Sequence, residues 1–225
     1  MRPRLPAGLF TLVLVLPLLV VLVVMIFVGA INQAFQALGF PPWTALLLLL
    51  GVLGGSFVNI PVWTVSGRRE RYAVDAHFPF RGVREIEEGS TTIHVNLGGA
   101  VIPVVMSVYL LTRLPWALFP HLLFATAFIA LVCYQLARPV RGVGIAMPAL
   151  VPPILASLTA LILVPQRAMI IAFVSGVLGV LLGADLLHLP QLRKVGAPAA
   201  SIGGAGTFDG IFLTGVLSVL LVAMV

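Results

Sequence analysis

Seven long apolar runs restrict the fold of this chain more than any other feature of its sequence. A helix crosses a bilayer core of about 30 Å with roughly 20 apolar residues. The runs show no polar–apolar alternation, and only helices or closed barrels satisfy backbone groups in lipid. We therefore predict an all-α polytopic bundle of about seven transmembrane helices, with residues 1–225 as a single integral membrane domain. The runs are Leu5–Ile31, Trp43–Val65, Val95–Leu111, Pro115–Leu136, Gly142–Val164, Ala168–Leu189 and Gly210–Val225.

Composition excludes most other classes of protein. Apolar residues make up 60% of the chain, charged residues 9%, and the mean hydropathy is +1.16, whereas soluble domains are about a quarter charged. One cysteine, Cys133, cannot form a disulfide framework. The net charge of +6 comes from cations scattered singly or in pairs, which does not predict nucleic-acid binding. Membrane lipids are the expected partners, and the sequence indicates no cofactor.

Positive charges predict the orientation of the helices. If the runs alternate in direction, all of the 13 Lys and Arg residues except Arg113 and Arg167 fall on one side of the membrane. Cytoplasmic segments carry an excess of Lys and Arg. We therefore expect an integral cell-membrane protein with a cytoplasmic N-terminus and an outer C-terminus.

One sizeable hydrophilic segment, residues 66–94, interrupts the apolar pattern and is too short to form a domain. Within it, Val83–Ile86 and Thr91–Val95 have strand character, and Glu87–Gly89 has turn character. We predict a small cytoplasmic hairpin over these residues, whose edge strand would be open to an extended peptide.

Two acidic residues stand apart from the other five, which all lie between Glu70 and Glu88. Asp185 comes 17 residues after Ala168, and Asp209 comes 16 residues before Val225. At 1.5 Å per residue, these separations are about 26 Å and about 24 Å from the outer ends of consecutive antiparallel helices. Ionisable groups in spanning segments mark functional sites. The two carboxyls are therefore expected at one depth, near the cytoplasmic boundary.

Two carboxyls in an apolar site share a proton, so that one acts as a base on water and the other as an acid toward a carbonyl oxygen. This chemistry predicts peptide hydrolysis within the membrane by Asp185 and Asp209, without a metal ion. Glycines before Asp209 would let a substrate backbone approach closely. The substrate-binding residues predicted in this segment are Gly203, Gly204, Gly206, Thr207 and Phe208.

Other interpretations of the same residues remain open. Asp209 suits the N-terminus of the last helix, and Asp185 suits a solvated interface with His188 as its partner. These three residues with His94 would form an irregular metal site. Helices interrupted at Asn96–Pro103 and Gly142–Pro153 are also typical of ion-coupled transporters. A non-catalytic assembly protein is the third class considered. Small residues in Ser175–Gly179 predict close helix packing.

Three segments of the sequence resemble an uncharacterised family of prokaryotic multi-pass membrane proteins, catalogued as a domain of unknown function. The segments are Val95–Pro103, Leu182–Leu187 and Ser201–Phe212. The resemblance covers most of the chain after Asn59. It implies a helical membrane protein in a prokaryotic cell membrane and implies no activity.

A fainter resemblance is to the presenilin and signal peptide peptidase class of intramembrane aspartyl proteases. Those enzymes carry one aspartate in the sixth helix, a second in a Gly-x-Gly-Asp motif that opens the seventh, and a Pro-Ala-Leu motif at the active site. Asp185 and Asp209 match the aspartates, although Ala184 and Phe208 precede them where the family has tyrosine and glycine. The resemblance implies transmembrane peptide substrates. It also implies a substrate-binding role for Pro148, Ala149 and Leu150.

Overall fold

The structure is a computed structural model that describes residues 7–74, 82–140, 144–192, 199–204 and 210–225. These ranges contain seven helices, one for each predicted apolar run. The helices are α1 (Ala7–Ala37), α2 (Pro42–Gly55), α3 (Leu97–Leu111), α4 (Trp116–Leu136), α5 (Val151–Leu163), α6 (Pro165–Gln191) and α7 (Gly210–Ala223).

Three of these helices are long and apolar enough to cross a membrane: Leu16–Ala37 of α1, α4 and α6. The other four have 10–17 residues, and the 14 residues of α2 extend only ~21 Å at 1.5 Å per residue. The helical membrane character of the protein is therefore confirmed. Seven full spans remain a prediction, because in several of the predicted runs the helix covers only part of the apolar stretch.

Several of the helices are shorter than predicted because strands occupy the rest of their apolar runs. β1 (Asn59–Val74) and β2 (Gly82–Asn96) lie between α2 and α3. β3 (Arg138–Val140) and β4 (Gly144–Ala146) lie between α4 and α5, and β5 (Ala199–Ile202) lies between α6 and α7. All three strand-containing connections lie on one side of the alternating helices, which we call the sheet end.

The sheet at this end corrects the prediction of an all-α fold with one small hairpin. β1 pairs with β2 antiparallel from Asn59 opposite Asn96 to Val74 opposite Gly82, and β5 joins β2 in parallel. Residues Val83–Val95 belong to one strand, so the predicted turn at Glu87–Gly89 is wrong. The antiparallel pairing of β1 and β2 continues past these residues to Val74 opposite Gly82.

The register of β1 and β2 explains why those turn-like residues are extended. The register pairs Arg68 with Glu88, Arg69 with Glu87 and Arg71 with Glu85. Antiparallel pairing gives the backbone N–H and C=O groups of both strands hydrogen-bond partners. The local turn propensity of two glutamates and a glycine is therefore outweighed by pairing with a strand more than 15 residues away.

Helix α6 is the centre of the bundle and packs against α3, α4, α5 and α7. Its glycines allow close contact: a Cβ on Gly176 would lie 2.9 Å from Thr214 Cγ2, and one on Gly179 would lie 2.6 Å from Ile129 Cγ2. The small-residue packing face predicted at Ser175–Gly179 is confirmed. Such faces bring transmembrane helices together where the hydrophobic effect does not.

Among the side chains of α1 that the structure describes, from Leu16 onward, those that pack into the bundle lie near its C-terminal end. Ile31, Phe35 and Leu38 are buried, and the Phe35 ring contacts the Phe212 ring at 6.3 Å between centroids. The apolar side chains from Leu18 to Ile26 are 52–70% exposed. This exposed stretch suits a helix surrounded by lipid, because only acyl chains match apolar residues on every face.

Candidate functional site at the sheet end

Helix α6 changes its winding just before its first acidic residue. Regular α-helix over Ala168–Val180 is followed by a π-helical turn over Leu181–Asp185 and a 3-10 turn over Leu186–His188. π turns are rare and occur frequently at functional sites. Asp185 is the last residue of this turn, so its backbone direction depends on the altered winding.

The absence of a side chain at Gly183 explains the position of the π turn. A Cβ at this position would lie 2.2 Å from the Ala130 carbonyl oxygen of α4. No side chain fits that gap, so the backbone of the turn packs directly on the backbone of α4. Asp185 is half-buried beside this contact and lies near Cys133 of α4, which is fully buried.

The second predicted carboxyl, Asp209, lies outside the described residues, as do Gly206, Thr207 and Phe208. The described chain resumes at Gly210, the first residue of α7. A Cβ on Gly210 would lie 4.0 Å from Val180 Cγ1 of α6 and 4.0 Å from Met147 Cε. The beginning of α7 therefore packs beside the part of α6 that immediately precedes the π turn.

Gly203 and Gly204 adopt backbone conformations that only glycine adopts easily, with φ of 83° and 79°. Gly203 is buried, and a Cβ there would lie 2.6 Å from the Ala100 nitrogen and 2.9 Å from the Gly99 carbonyl carbon. These glycines seat the segment after β5 against the start of α3. Their immediate role is close backbone packing, and their predicted substrate contact remains a prediction.

The start of α3 is a second π turn, Leu97–Val101, held by a buried polar cluster. Asn96 is 1% exposed, and its Oδ1 accepts a hydrogen bond from Gly99 N at 2.7 Å. Asn96 Nδ2 donates to Ser56 O at 2.8 Å and to Asn59 Oδ1 at 3.1 Å. Ser201 Oγ of β5 also donates to Asn59 Oδ1, at 2.9 Å. One side chain thus joins α2, β1 and α3.

Replacement of Asn96 by alanine is expected to lower the stability of the bundle by ~2 kcal/mol. The change removes a helix N-cap, which contributes ~1 kcal/mol, and leaves the Ser56 carbonyl without this donor, at ~1 kcal/mol. Thermal unfolding in detergent micelles measures the loss. Asn96→Asp retains the capping oxygen and is expected to recover part of it. Equal stability of Asn96→Ala and wild type would contradict this interpretation of the cluster.

The Pro148-Ala149-Leu150 segment is a surface feature. All three residues are exposed, Leu150 at 64%, and they lie in the turn before α5, which begins at Val151. The fifth apolar run was predicted to begin at Gly142, but its helix begins only at Val151, and Pro152 and Pro153 lie in its first turn. The segment follows Met147, the residue beside Gly210.

Comparison with known proteins identifies the family of the chain. A family model described as a protein of unknown function (DUF1614) matches residues 53–221. The chain belongs to the DUF1614 family. Comparison with curated proteins and with solved structures finds no match. The prediction of an uncharacterised membrane protein family is confirmed.

The DUF1614 match extends from the end of α2 almost to the end of α7 and leaves α1 outside. It includes both π turns, the sheet and every predicted site residue. Within the described part of this region, no three His, Cys, Asp or Glu side chains are close enough to hold a metal ion. Asp209, one of the four residues considered for a metal site, lies outside that part.

Sequence reasoning missed three features of the DUF1614 site. It did not predict either π turn, and it did not assign Asn96 as a cap, although asparagine before a helix is a recognised signal. It considered His188 as a partner of Asp185 or as a metal ligand, and did not predict its contact with Gly183. The His188 ring is 3% exposed, and its Nδ1 lies 3.0 Å from the Gly183 carbonyl oxygen.

Proposed function

We propose that this DUF1614 protein is an intramembrane aspartyl protease in which Asp185 and Asp209 act as a pair. The observation that carries the proposal is the proximity of Gly210 to Val180: a Cβ added to Gly210 would lie 4.0 Å from Val180 Cγ1. Gly210 directly follows Asp209 in the chain, and Val180 directly precedes the turn that ends at Asp185. The described residues that adjoin Asp209 and the turn of Asp185 in the chain are therefore neighbours at the sheet end of the bundle.

The chemistry follows from two carboxyls sharing one proton. The ionised carboxylate takes a proton from a water molecule, whose oxygen attacks the peptide carbonyl carbon. The protonated carboxyl gives its proton to the carbonyl oxygen, which yields a tetrahedral diol. Proton transfer to the nitrogen then breaks the carbon–nitrogen bond and releases an acid and an amine. Either aspartate serves as base or acid, and no metal ion is required.

Three further features support this proposal. The π turn ending at Asp185 is a winding often found at functional sites. Gly204, which is half-buried and adopts a φ of 79°, precedes the second aspartate as a backbone position without a side chain. Pro148, Ala149 and Leu150 are exposed next to Met147, which lies beside the start of α7. The excess of Lys and Arg near the sheet end favours a cytoplasmic location for this site.

The test uses the purified full chain in detergent with a panel of helical transmembrane peptides as substrates. Wild type is expected to cleave at least one peptide, and Asp185→Asn and Asp209→Asn are each expected to abolish cleavage without lowering the unfolding temperature. Glu70→Gln, which removes a carboxylate from β1, is the matched control and should retain activity. Cleavage that survives either aspartate variant, or a wild type that cleaves none of the panel, overturns the proposal.

A specific observation favours ion-coupled transport as the second candidate. Ser175 of α6 and Thr214 of α7 are 0% and 1% exposed, and their hydroxyl oxygens find no hydrogen-bond partner among the described residues. Buried hydroxyls without partners are rare and suit a path for water or ions. Ser175 comes ten residues before Asp185 in α6, and Thr214 comes four residues after the first residue of α7. Uptake into proteoliposomes that requires Asp185 and Asp209, without peptide cleavage, would favour transport, and neither activity would favour an assembly role.

A further inference from the structure

We propose that His188 is the positioning residue for Asp185, acting through its hydrogen bond to the π turn. The bond from His188 Nδ1 to the Gly183 carbonyl oxygen is 3.0 Å long. It connects a residue that precedes Asp185 in the chain with one that follows it. It closes a short loop of chain, residues 183–188, that contains the carboxyl-bearing residue. The inference deepens the proposed function, and its first measurement does not depend on that function.

Helix α4 anchors both ends of this loop. Gly183 packs against the backbone of Ala130, and the His188 ring lies 4.8 Å from the Tyr134 ring, measured between centroids. Ala130 and Tyr134 are four residues apart, so they lie on one face of α4. Cys133 of the same helix is fully buried and lies near Asp185. The loop is therefore held at two points on a rigid helix, with Asp185 between them.

The hydrogen bond also determines which nitrogen of His188 carries a proton. A carbonyl oxygen only accepts hydrogen bonds, so Nδ1 donates and is protonated. A neutral His188 then carries its lone pair on Nε2. The positioning role requires the donor at Nδ1 and does not require Nε2, and this difference separates it from a role as a base or a metal ligand.

Two isosteric substitutions test the nitrogens separately. Asparagine places an amide N–H close to the position of Nδ1, so His188→Asn retains a donor for the Gly183 carbonyl. Glutamine places its amide near Nε2, so His188→Gln loses the donor at Nδ1. The labelling rate of Asp185 by a hydrophobic carbodiimide, followed across pH by mass spectrometry, reports the environment of the carboxyl. This reaction needs no substrate and no assumption about activity.

We expect His188→Asn to label Asp185 within about twofold of the wild-type rate with the same pH midpoint, because a single retained donor keeps the loop closed. His188→Gln should change the rate at least fivefold or shift the midpoint. If both variants label like wild type and only lower the unfolding temperature, His188 is merely structural and the inference fails. It also fails if His188→Gln labels normally and His188→Asn does not, since Nε2 would then be the functional atom.

Peptide cleavage adds a second measurement where the wild type is active. His188→Gln is expected to lower kcat by about 10- to 100-fold at unchanged KM, since misplacement of a catalytic group by ~1 Å costs that much, whereas His188→Asn should retain kcat. Equal kcat in the two variants would overturn the inference. A wild type that cleaves no peptide ends the protease proposal, while the labelling experiment still decides the role of His188.

Discussion

Gly98→Ala is expected to lower the free energy of unfolding by ~3 kcal/mol or more, among the largest effects of any single methyl group in this protein. A Cβ at this position would lie 2.1 Å from the Val52 carbonyl oxygen and 2.5 Å from the Ser56 nitrogen. Both atoms belong to the backbone at the end of α2, so no side chain can rotate away. The variant must separate α2 from the π turn of α3, and this movement strains the polar cluster around Asn96.

Gly54→Ala is the matched control, because nothing lies within 4 Å of a Cβ added there. Gly54 is an exposed helical residue of α2, and alanine favours helix over glycine by up to ~1 kcal/mol. Its unfolding temperature in detergent should equal or exceed that of wild type. If Gly98→Ala unfolds at the same temperature as Gly54→Ala, the backbone contact between α2 and α3 is not what holds this end of the bundle.

The positions of the helices follow from hydropathy, but their lengths do not. The run Trp43–Val65 predicts one span, whereas the chain leaves the helix after Gly55 and continues as β1 from Asn59. The first residues of β1 are as apolar as a helix, and periodicity cannot distinguish a short apolar strand from a buried helix. What decides the structure is the pairing of β1 with β2, a contact between residues up to 37 positions apart.

At the site, too, the local sequence predicts which residue is important but not which distant residues surround it. Asp185 is conspicuous in the sequence because charged residues are rare in apolar helices. The contacts that define its surroundings have no local signal. Gly183 contacts Ala130 and His188 contacts Tyr134, more than 50 residues away in each case, and the bond from His188 to Gly183 spans five residues. That spacing differs from the i, i+3 and i, i+4 pairs used to read helix faces.

Gly183→Ala is expected to disturb the site as strongly as Gly98→Ala disturbs the fold. The added Cβ would lie 2.2 Å from the Ala130 carbonyl oxygen and 2.9 Å from its carbonyl carbon. These are backbone atoms of α4, so truncation of an α4 side chain cannot relieve the clash. The π turn must withdraw by about 1 Å, at ~3 kcal/mol, and Asp185 moves with it. A displacement of this size reduces catalysis about 100-fold.

Gly51→Ala separates this effect from a general loss of helix packing. Gly51 also faces another helix, but a Cβ there would meet only the Ile102 Cδ1 atom, at 3.5 Å, an ordinary contact. We expect Gly51→Ala to unfold, to cleave peptide and to react with carbodiimide at Asp185 like wild type, and Gly183→Ala to differ in all three measurements. A Gly183→Ala protein that is less stable but labels and cleaves normally would show that Asp185 does not depend on the π turn. Because the clash involves backbone atoms alone, Gly183→Ala tests the register of α6 on α4 without removing any polar group from the site.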